Sequence, residues 1–462
     1  MPRSGAPDVV KIGIIGGGFM GMTLAYRLAE RGHAVTVFER DTQLGGLATY
    51  HDYGAFSWDR FYHCILPSDT HLIGLLKDLG LADDLRWRRT LTGFYVDERL
   101  HSISSGLEFL RFPLVSLWGK LRLALTLLYC SRLQDWRGLE QITVEQWLIK
   151  QCGRATYEKL WKPLLLAKLG ENYRRVSAVF IWSYIKRIFM ARDASVKKEH
   201  LGYVSGGYKA VFARLEALVG LHGGGIRTGV TVKRVSAGVD GGLVVDVEDE
   251  ALHFDKVVFT SPVNVLQAVA SADLVGVAGG SAAVEYLGVV CGVLVTRRPV
   301  VPYYVVNIAD GRIPFTGVIG MSNLVATDET AGCHITYLPK YVLSTDPFLR
   351  LPDDEVRRVF AEGLRVMFPD LPADDVHALH INRAFKVQPL QVLDYSSLVP
   401  RVTTRHPDFF VLNTAQFVNA TLNNNEVARA VHEFVGDYQD RLEGIASTGV
   451  SAPVPMPAVA GS

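Results

Sequence analysis

The sequence predicts an α/β fold in which a parallel sheet flanked by helices is interleaved with a second, α+β domain. Three observations support this prediction. A strand, a glycine-rich turn, a helix and a second strand follow one another over residues 11–46; an aromatic-rich helical region spans 90–200; and strand patterns return after 203. Their order indicates that the chain passes between the two domains more than once.

The first element is a strand that ends in a glycine-rich turn. The apolar run 12–15 meets Gly16, Gly18 and Gly21, and a helical pattern begins there. Gly16 permits the tight turn, Gly18 lets the backbone approach a pyrophosphate, and Gly21 lets the helix lie close to the sheet. The helix N-terminus adds free N–H groups and the positive end of its dipole. The pattern therefore predicts a Rossmann-type, dinucleotide-binding domain.

An acidic residue and a second glycine turn follow the next strand. Glu39 ends that strand, where its carboxylate can accept hydrogen bonds from ribose hydroxyls. Arg40 comes next, and Gly45 and Gly46 form the second turn. This continuation resembles the signature of the FAD-containing amine oxidase superfamily, in which the second glycine turn lies under the same pyrophosphate.

The resemblance extends over residues 11 to about 435. Segments at 58–63, 160–165, 204–207 and 337–341 resemble the protoporphyrinogen-oxidase-like branch, and phytoene desaturase and UDP-galactopyranose mutase are more distant members. It implies an extended FAD cofactor whose isoalloxazine lies between the domains.

The resemblance also implies which residues contact FAD. They include the glycines of both turns, Glu39 and Arg40. The backbone of Val232 would meet the adenine. Asn413 and Gln416 would contact the cofactor from the turn after a last buried strand, 409–412, which we expect to rejoin the first sheet.

Domain boundaries follow from the same patterns. We expect three FAD-binding segments, a helical and an α+β part of the substrate domain, and a disordered tail: in chain order, segment 1 at 10–88, the helical part at 89–200, segment 2 at 201–265, the α+β part at 266–400, segment 3 at 401–440, and the tail at 441–462.

Two residues are the candidates for catalysis. Hydride transfer to a flavin needs placement, exclusion of water and charge stabilisation more than a dedicated catalytic triad. Arg60 and His63 occupy positions that resemble two flavin-side histidines of the mutase. Arg60 would hold an anionic substrate or the reduced flavin, and His63 would accept a proton. The alternative is that Arg60 pairs with Asp52 or Asp59 and that His63 is a hydrogen-bonded core residue.

Composition excludes several classes of function. Hydrophobic residues make up 48% of the 462 residues and charged residues 21%, as in an ordinary globular protein. The net charge of +1 implies no nucleic-acid partner. Five cysteines without a C-x-x-C pair predict reduced thiols in a cytoplasmic protein, with no metal site.

Two basic, apolar stretches leave a peripheral membrane contact open. Residues 107–133 and 178–198 are rich in Leu, Phe and Trp with Lys and Arg at intervals, and both are too short in apolar length to span a bilayer. Such helices either lie on a membrane surface or pack within the substrate domain with their charges solvated.

The first interpretation is a FAD-dependent oxidoreductase. It would dehydrogenate a hydrophobic or lipid-linked small molecule by hydride transfer to flavin N5. The second is a redox-neutral flavin isomerase of a nucleotide sugar, with Arg174, Arg175 and Arg187 lining a basic cleft. The third is a flavin-binding scaffold without catalysis, because Gly320-Met321-Ser322 replaces an acidic–histidine pair of the relatives. The substrate, the electron acceptor and the oligomeric state are not determined by the sequence.

Overall fold

The structure of the protein is a computed structural model that describes residues 9–190, 200–275 and 284–442. Its strands run as follows: β1 Lys11–Ile15, β2 Ala34–Phe38, β3 Tyr50–Asp52, β4 Ser57–Asp59, β5 Leu85–Arg89, β6 Thr92–Val96, β7 Arg99–Ser102, β8 His200–Val204, β9 Gly225–Arg227, β10 Val232–Ala237, β11 Leu243–Val247, β12 Glu250–Phe254, β13 Lys256–Phe259, β14 Tyr286–Thr296, β15 Val305–Ile308, β16 Gly317–Gly320, β17 His334–Leu343, β18 Val376–Pro389 and β19 Phe409–Val411.

The α-helices of the same residues are α1 Phe19–Ala29, α2 Thr70–Asp78, α3 Gly106–Arg111, α4 Leu117–Arg132, α5 Arg137–Glu140, α6 Val144–Cys152, α7 Arg154–Thr156, α8 Lys162–Leu169, α9 Ala178–Met190, α10 Gly207–Leu221, α11 Val263–Val269, α12 Ala272–Val275, α13 Asp353–Met367, α14 Asn424–Asp437 and α15 Gln439–Leu442. Several helices begin at a side-chain cap. Thr143 and Gln146 form a reciprocal capping box before α6, and Asn423 caps α14.

A five-stranded parallel sheet is built from three separate parts of the chain. Its order is β19-β13-β1-β2-β9, with β1 at the centre between β13 and β2. The core strands are apolar on both faces because both faces are covered. Helices α1, α2, α10 and α14 pack on one side, and the antiparallel sheet β10-β11-β12 packs on the other.

A seven-stranded mixed sheet forms the second unit. Its order is β18-β14-β17-β16-β15-β6-β7, and β14 is buried along its whole length between β17 and β18. Helix α13 covers one face, whereas the other face meets segment 53–66. Helices α4, α6, α8 and α9 form a separate core beside this sheet.

The predicted α/β class is confirmed, and β19 joins the parallel sheet as the pattern at 409–412 predicts. The hairpin at 93–100 pairs into the seven-stranded sheet through β6 and β15. The domain boundaries as drawn from the sequence stay a prediction. Of the predicted tail, residues 441 and 442 end α15, and the remainder lies outside the described residues.

Candidate active site

The first glycine turn is held rigidly between β1 and α1. Gly16 has a φ of +115°, and its N–H donates to the Phe38 carbonyl at 2.9 Å. A Cβ added to Gly21 would lie 1.9 Å from the carbonyl oxygen of Gly16. Thr260 Oγ1 donates to that same oxygen at 3.1 Å. Only glycine at position 21 therefore lets α1 approach the strand this closely.

The second glycine turn lies against the first. The Gly45 N–H donates to the Gly17 carbonyl at 3.0 Å, and a Cβ on Gly46 would lie 3.4 Å from the Cα of Gly18. Gly18 itself opens onto free space, since a Cβ there would meet nothing within 4 Å. No side chain caps α1. The two turns thus form one open cradle of backbone at a helix N-terminus, which suits a pyrophosphate.

Glu39 ties the two sides of this cradle together. Its Oε2 accepts the Gly17 N–H at 2.7 Å, and its Oε1 accepts the Asp41 N–H at 2.9 Å. A carboxylate offers about four acceptor positions, so two stay available for ribose hydroxyls. The predicted ribose ligand is placed at the mouth of the turn, as the motif requires.

A cavity of about 450 Å³ extends from the end of β2 to Arg60. It brings together three of the predicted site residues, and its wall consists of Arg40, Asp41, Thr42, Gln43, Gly46, Thr49 and Arg60. The Nε of Arg60 is buried and has no hydrogen-bond partner among the residues that the structure describes. Arg60 makes no ion pair with a described residue, in contrast to the predicted alternative of pairing with Asp52 or Asp59.

Positive charge surrounds this cavity. Arg40 is exposed at its rim, with its Nε 3.7 Å from the Asp41 carboxylate. Burial and the nearby positive charge of Arg40 lower the pKa of Lys386. Together with Arg60, these groups create a field that favours a bound anion.

The remaining predicted cofactor residues lie at two other places. Val232 begins β10, and the nearby Val230 N–H donates to the Glu39 carbonyl at 2.9 Å, which puts this segment beside the ribose end. Asn413 is buried, and its Nδ2 has no hydrogen-bond partner in the described part of the chain. Gln416 is engaged within its own turn, accepting the Asn413 N–H at 3.0 Å and donating to two carbonyls. Their contacts with a cofactor stay predictions.

His63 is separated from Arg60. It lies at a void of about 10 Å³, its ring centroid is 4.8 Å from that of Tyr208, and its Nδ1 is 3.5 Å from Oδ2 of Asp59. That Nδ1 contact lacks hydrogen-bond geometry. The structure therefore does not bring the two predicted catalytic residues into one cavity.

Asp59 is a site residue that the sequence reasoning missed. It is 3% exposed, and its Oδ1 accepts the Tyr208 N–H at 2.8 Å at the N-terminus of α10. Gly207 must be glycine there, because a Cβ would lie 2.8 Å from the same oxygen and its φ is +65°. The carboxylate thus joins the segment of Arg60 and His63 to α10.

A cluster of half-buried aromatic and apolar side chains begins two residues beyond Arg60, and we interpret the space that these side chains border as an apolar crevice. The hydroxyls of Tyr62 and Tyr341 are 2.9 Å apart, and burial raises the pKa of both phenols, so they stay protonated at neutral pH. The Nζ of Lys168 lies 3.0 Å from the centroid of the Tyr341 ring. No carboxylate of the described chain pairs with Lys168, and burial lowers its pKa from 10.5 to about 7.

Other half-buried apolar groups complete the wall of this crevice. Leu47, Cys64 and Val387 pack in the same cluster as Tyr62 and Tyr341. Leu47 directly follows Gly46, so the apolar wall begins where the glycine cradle ends. At the far side, Tyr184 donates to the Gln388 amide oxygen at 3.2 Å.

Nothing in the sequence marked Lys168, whereas Tyr62 and Tyr341 lie in segments that the resemblance already singled out. Tyr337, at the start of the segment 337–341, is fully buried and donates to the Asp59 carbonyl at 2.6 Å. It is a core residue. Within the described ranges, no three His, Cys, Asp or Glu side chains converge as metal ligands would.

These features fit an extended FAD. The open glycine cradle suits the pyrophosphate, the cation-rimmed cavity extends away from it, and the unpartnered Nε of Arg60 and Nδ2 of Asn413 are buried donors that a bound polar group would satisfy. A cofactor held this way would reach the segment that leads into the apolar crevice.

Comparisons with known proteins agree with this arrangement. A family described as flavin containing amine oxidoreductase matches residues 20–400. The zeta-carotene desaturase of Solanum lycopersicum is 25% identical over 184 residues, which are 34% of this chain and 31% of the desaturase. The matched region thus spans less than a third of that curated relative.

Solved structures share the fold over nearly the whole chain. A protein of Exiguobacterium sp. 255-15, provisionally named a protoporphyrinogen oxidase, superposes with a TM-score of 0.72 at 17% identity, covering 94% of this chain and 99% of its own. Reduced UDP-galactopyranose mutase superposes with a TM-score of 0.71 at 14% identity, covering 95% of this chain and 98% of its own. Because the family match covers most of the residues, the chain belongs to the flavin containing amine oxidoreductase family, whose members are FAD-dependent oxidoreductases.

Proposed function

We propose that this protein dehydrogenates a hydrophobic or lipid-linked small molecule by hydride transfer to flavin N5. The observation that supports the proposal is the cluster of half-buried apolar side chains that begins at the second glycine turn: Leu47, Tyr62, Cys64, Tyr341 and Val387. Lys168 lies over the Tyr341 ring, and burial lowers its pKa to about 7. A wall of this composition favours a substrate with a large apolar surface.

Each part of the site has a task in this proposal. Bound FAD supplies the hydride acceptor. The glycine cradle and Glu39 hold its ADP portion, and Arg60 places a positive charge along the cavity where an anionic group is held. The crevice orients the substrate and excludes water. The neutral amine of Lys168 is available to accept a proton at and above pH 7.

His63 is a second proton acceptor in this proposal. Asp59 lies 3.5 Å from its Nδ1 and holds the segment in place through α10. Because the ring borders only a void of about 10 Å³, a role for His63 requires that proton transfer reach it through Cys64 or Tyr208, which line the same void.

A nucleotide-sugar isomerase has less support. The arginines that would line its basic cleft are engaged: Arg174 binds Glu171 at 2.9 Å, Arg175 pairs with Glu285, and Arg187 binds Asp69 at 3.1 Å. A diphosphate would have to displace these carboxylates. A scaffold without catalysis is equally disfavoured, because it has no need of the crevice beside the cofactor cavity.

The test is the visible spectrum of the purified holoenzyme under anaerobic conditions. We expect zeta-carotene, protoporphyrinogen or a related hydrophobic C–H donor to bleach the flavin absorbance, and an oxidant to restore it. Replacing Leu47 with Glu should slow bleaching and leave the resting spectrum unchanged. Interconversion of UDP-galactopyranose after chemical reduction, without net consumption of electrons, would show that the isomerase is correct. FAD that no donor bleaches would favour the scaffold.

A further inference from the structure

Helix α4 presents large apolar side chains to solvent instead of to the core. Six of them are at least 39% exposed, with Leu117 at 73% and Trp118 at 67%. The complete set on α4 is Leu117, Trp118, Leu121, Leu125, Leu128 and Tyr129. Its opposite side, including Leu123 and Cys130, is buried against α6 and α9. The helix is therefore apolar on both its inner and its outer face, a pattern of helices that meet a second apolar phase.

Helix α3 extends the same surface. Leu107 and Leu110 are 58% and 55% exposed, and the Lys120 Nζ donates to the Leu110 carbonyl at 2.6 Å, which ties α3 to the first turn of α4. Half of the sixteen large apolar side chains exposed in the described chain lie within residues 107–129. We call this surface the α3–α4 face. Such clustering exceeds the scattered exposure of an ordinary monomer surface, where apolar patches rarely exceed about 300–600 Å².

The net charge around the α3–α4 face is positive. Residues 107–135 contain four Lys or Arg and two acidic residues, Glu108 and Asp135. Lys120 and Arg122 bind backbone carbonyls, whereas Arg111 and Arg132 are exposed and make no ion pair with described residues. Arg111 and Arg132 therefore mark the two ends of the face. An apolar surface between two free cations complements a lipid layer with anionic headgroups.

A second copy of the chain fits this face less well. A symmetric dimer would place the face against itself and bring two surfaces of the same positive net charge together, because residues 107–135 hold four Lys or Arg against Glu108 and Asp135. The positions of the aromatic residues also favour a membrane surface over a second copy. Trp118 and Tyr129 lie eleven residues apart, so they fall within about 20° of each other along one edge of the exposed arc. If α4 lay flat on a bilayer, this edge would sit at the level of the lipid headgroups, where Trp and Tyr are enriched.

We propose that the α3–α4 face docks the protein on the surface of a bilayer that contains anionic lipids, with α4 parallel to the membrane plane. No helix of the described residues is long and apolar enough to cross a bilayer, so the contact would be interfacial. This inference stands independently of the proposed reaction, because it rests on exposure and charge alone.

The first test is flotation of the holoenzyme with vesicles of phosphatidylcholine, with and without phosphatidylglycerol. We expect binding to the mixed vesicles, weakened by salt and at least about tenfold lower in the double variant Leu121→Gln/Leu125→Gln. The matched control is Leu221→Gln/Val366→Gln, which alters two side chains that are 76% and 42% exposed elsewhere and should bind like the parent. Equal binding by both double variants, or none by the parent, would overturn the proposal.

The second test locates the contact without destabilising the protein. Brominated phospholipids should quench part of the tryptophan fluorescence of the parent, and Trp118→Phe should remove that quenched part. Light scattering on a sizing column supplies the competing outcome. A dimer that the Leu121→Gln/Leu125→Gln variant converts to monomer, with no quenching of Trp118 by lipid, would assign the face to a second copy and refute the lipid surface.

Discussion

Replacing Lys168 with Met tests whether burial really disfavours its charge. The fall in its pKa from 10.5 to about 7 corresponds to about 5 kcal/mol, at about 1.4 kcal/mol per unit. Ionised Lys168 therefore destabilises the folded protein by about that amount relative to its neutral form.

The sign of the pH dependence follows from proton uptake. Between pH 7 and 10.5 the unfolded chain binds a proton at Lys168 that the folded chain has lost, so the contribution of this group to stability rises with pH. The destabilisation is fully present below pH 7 and absent above 10.5. The gain in stability of Lys168→Met over the parent should therefore be about 5 kcal/mol larger at pH 6 than at pH 10.5.

Urea denaturation of both proteins across this pH range, with FAD in excess, measures the difference. The matched control is Lys77→Met, which makes the same substitution at an exposed lysine on α2. A flat difference for Lys168→Met would mean that the ammonium is already well solvated in its crevice, and the reasoning would fail.

Three further predictions concern the cofactor cradle and its support. Gly21→Ala should yield protein that purifies without flavin colour, because the added methyl collides with a carbonyl 1.9 Å away and displaces α1, whereas Gly436→Ala has open space and should stay yellow. Glu39→Gln should raise the calorimetric Kd for FAD about 10- to 100-fold, since the amide cannot accept both backbone N–H groups; an unchanged Kd would contradict this. Asp59→Ala should lower the urea unfolding free energy by about 1–3 kcal/mol by leaving the Tyr208 N–H buried and unpaired, and Asp59→Asn, which keeps an acceptor, should lose less.

The glycine turns could be predicted because their constraints are local. Gly16 needs a positive φ and Gly21 needs the absence of a Cβ, and both demands arise within one strand–turn–helix unit. The pairing of Tyr62 with Tyr341 could not be predicted in this way. It joins residues far apart in sequence, and it depends on the register of β17 in a sheet whose strand order no local pattern encodes.

The α3–α4 face shows a second limit of sequence patterns. Periodicity distinguishes an inner from an outer face only when one of them is polar, and α4 is apolar around most of its circumference. Leu121 and Leu123 look equivalent in the sequence, yet the first is 49% exposed and the second 6%. Which side packs inward is decided by α6 and α9.

The division of the parallel sheet among three chain segments has a consequence for biosynthesis. A ribosome completes β1 at Ile15 and β13 at Phe259 but does not deliver β19 until Phe409, so the edge of β13 remains unpaired while residues 260–408 are translated. The nascent chain therefore holds its nucleotide pocket half-built, with an open strand edge that invites wrong pairings. FAD would therefore bind near the end of synthesis, when it can stabilise the completed sheet.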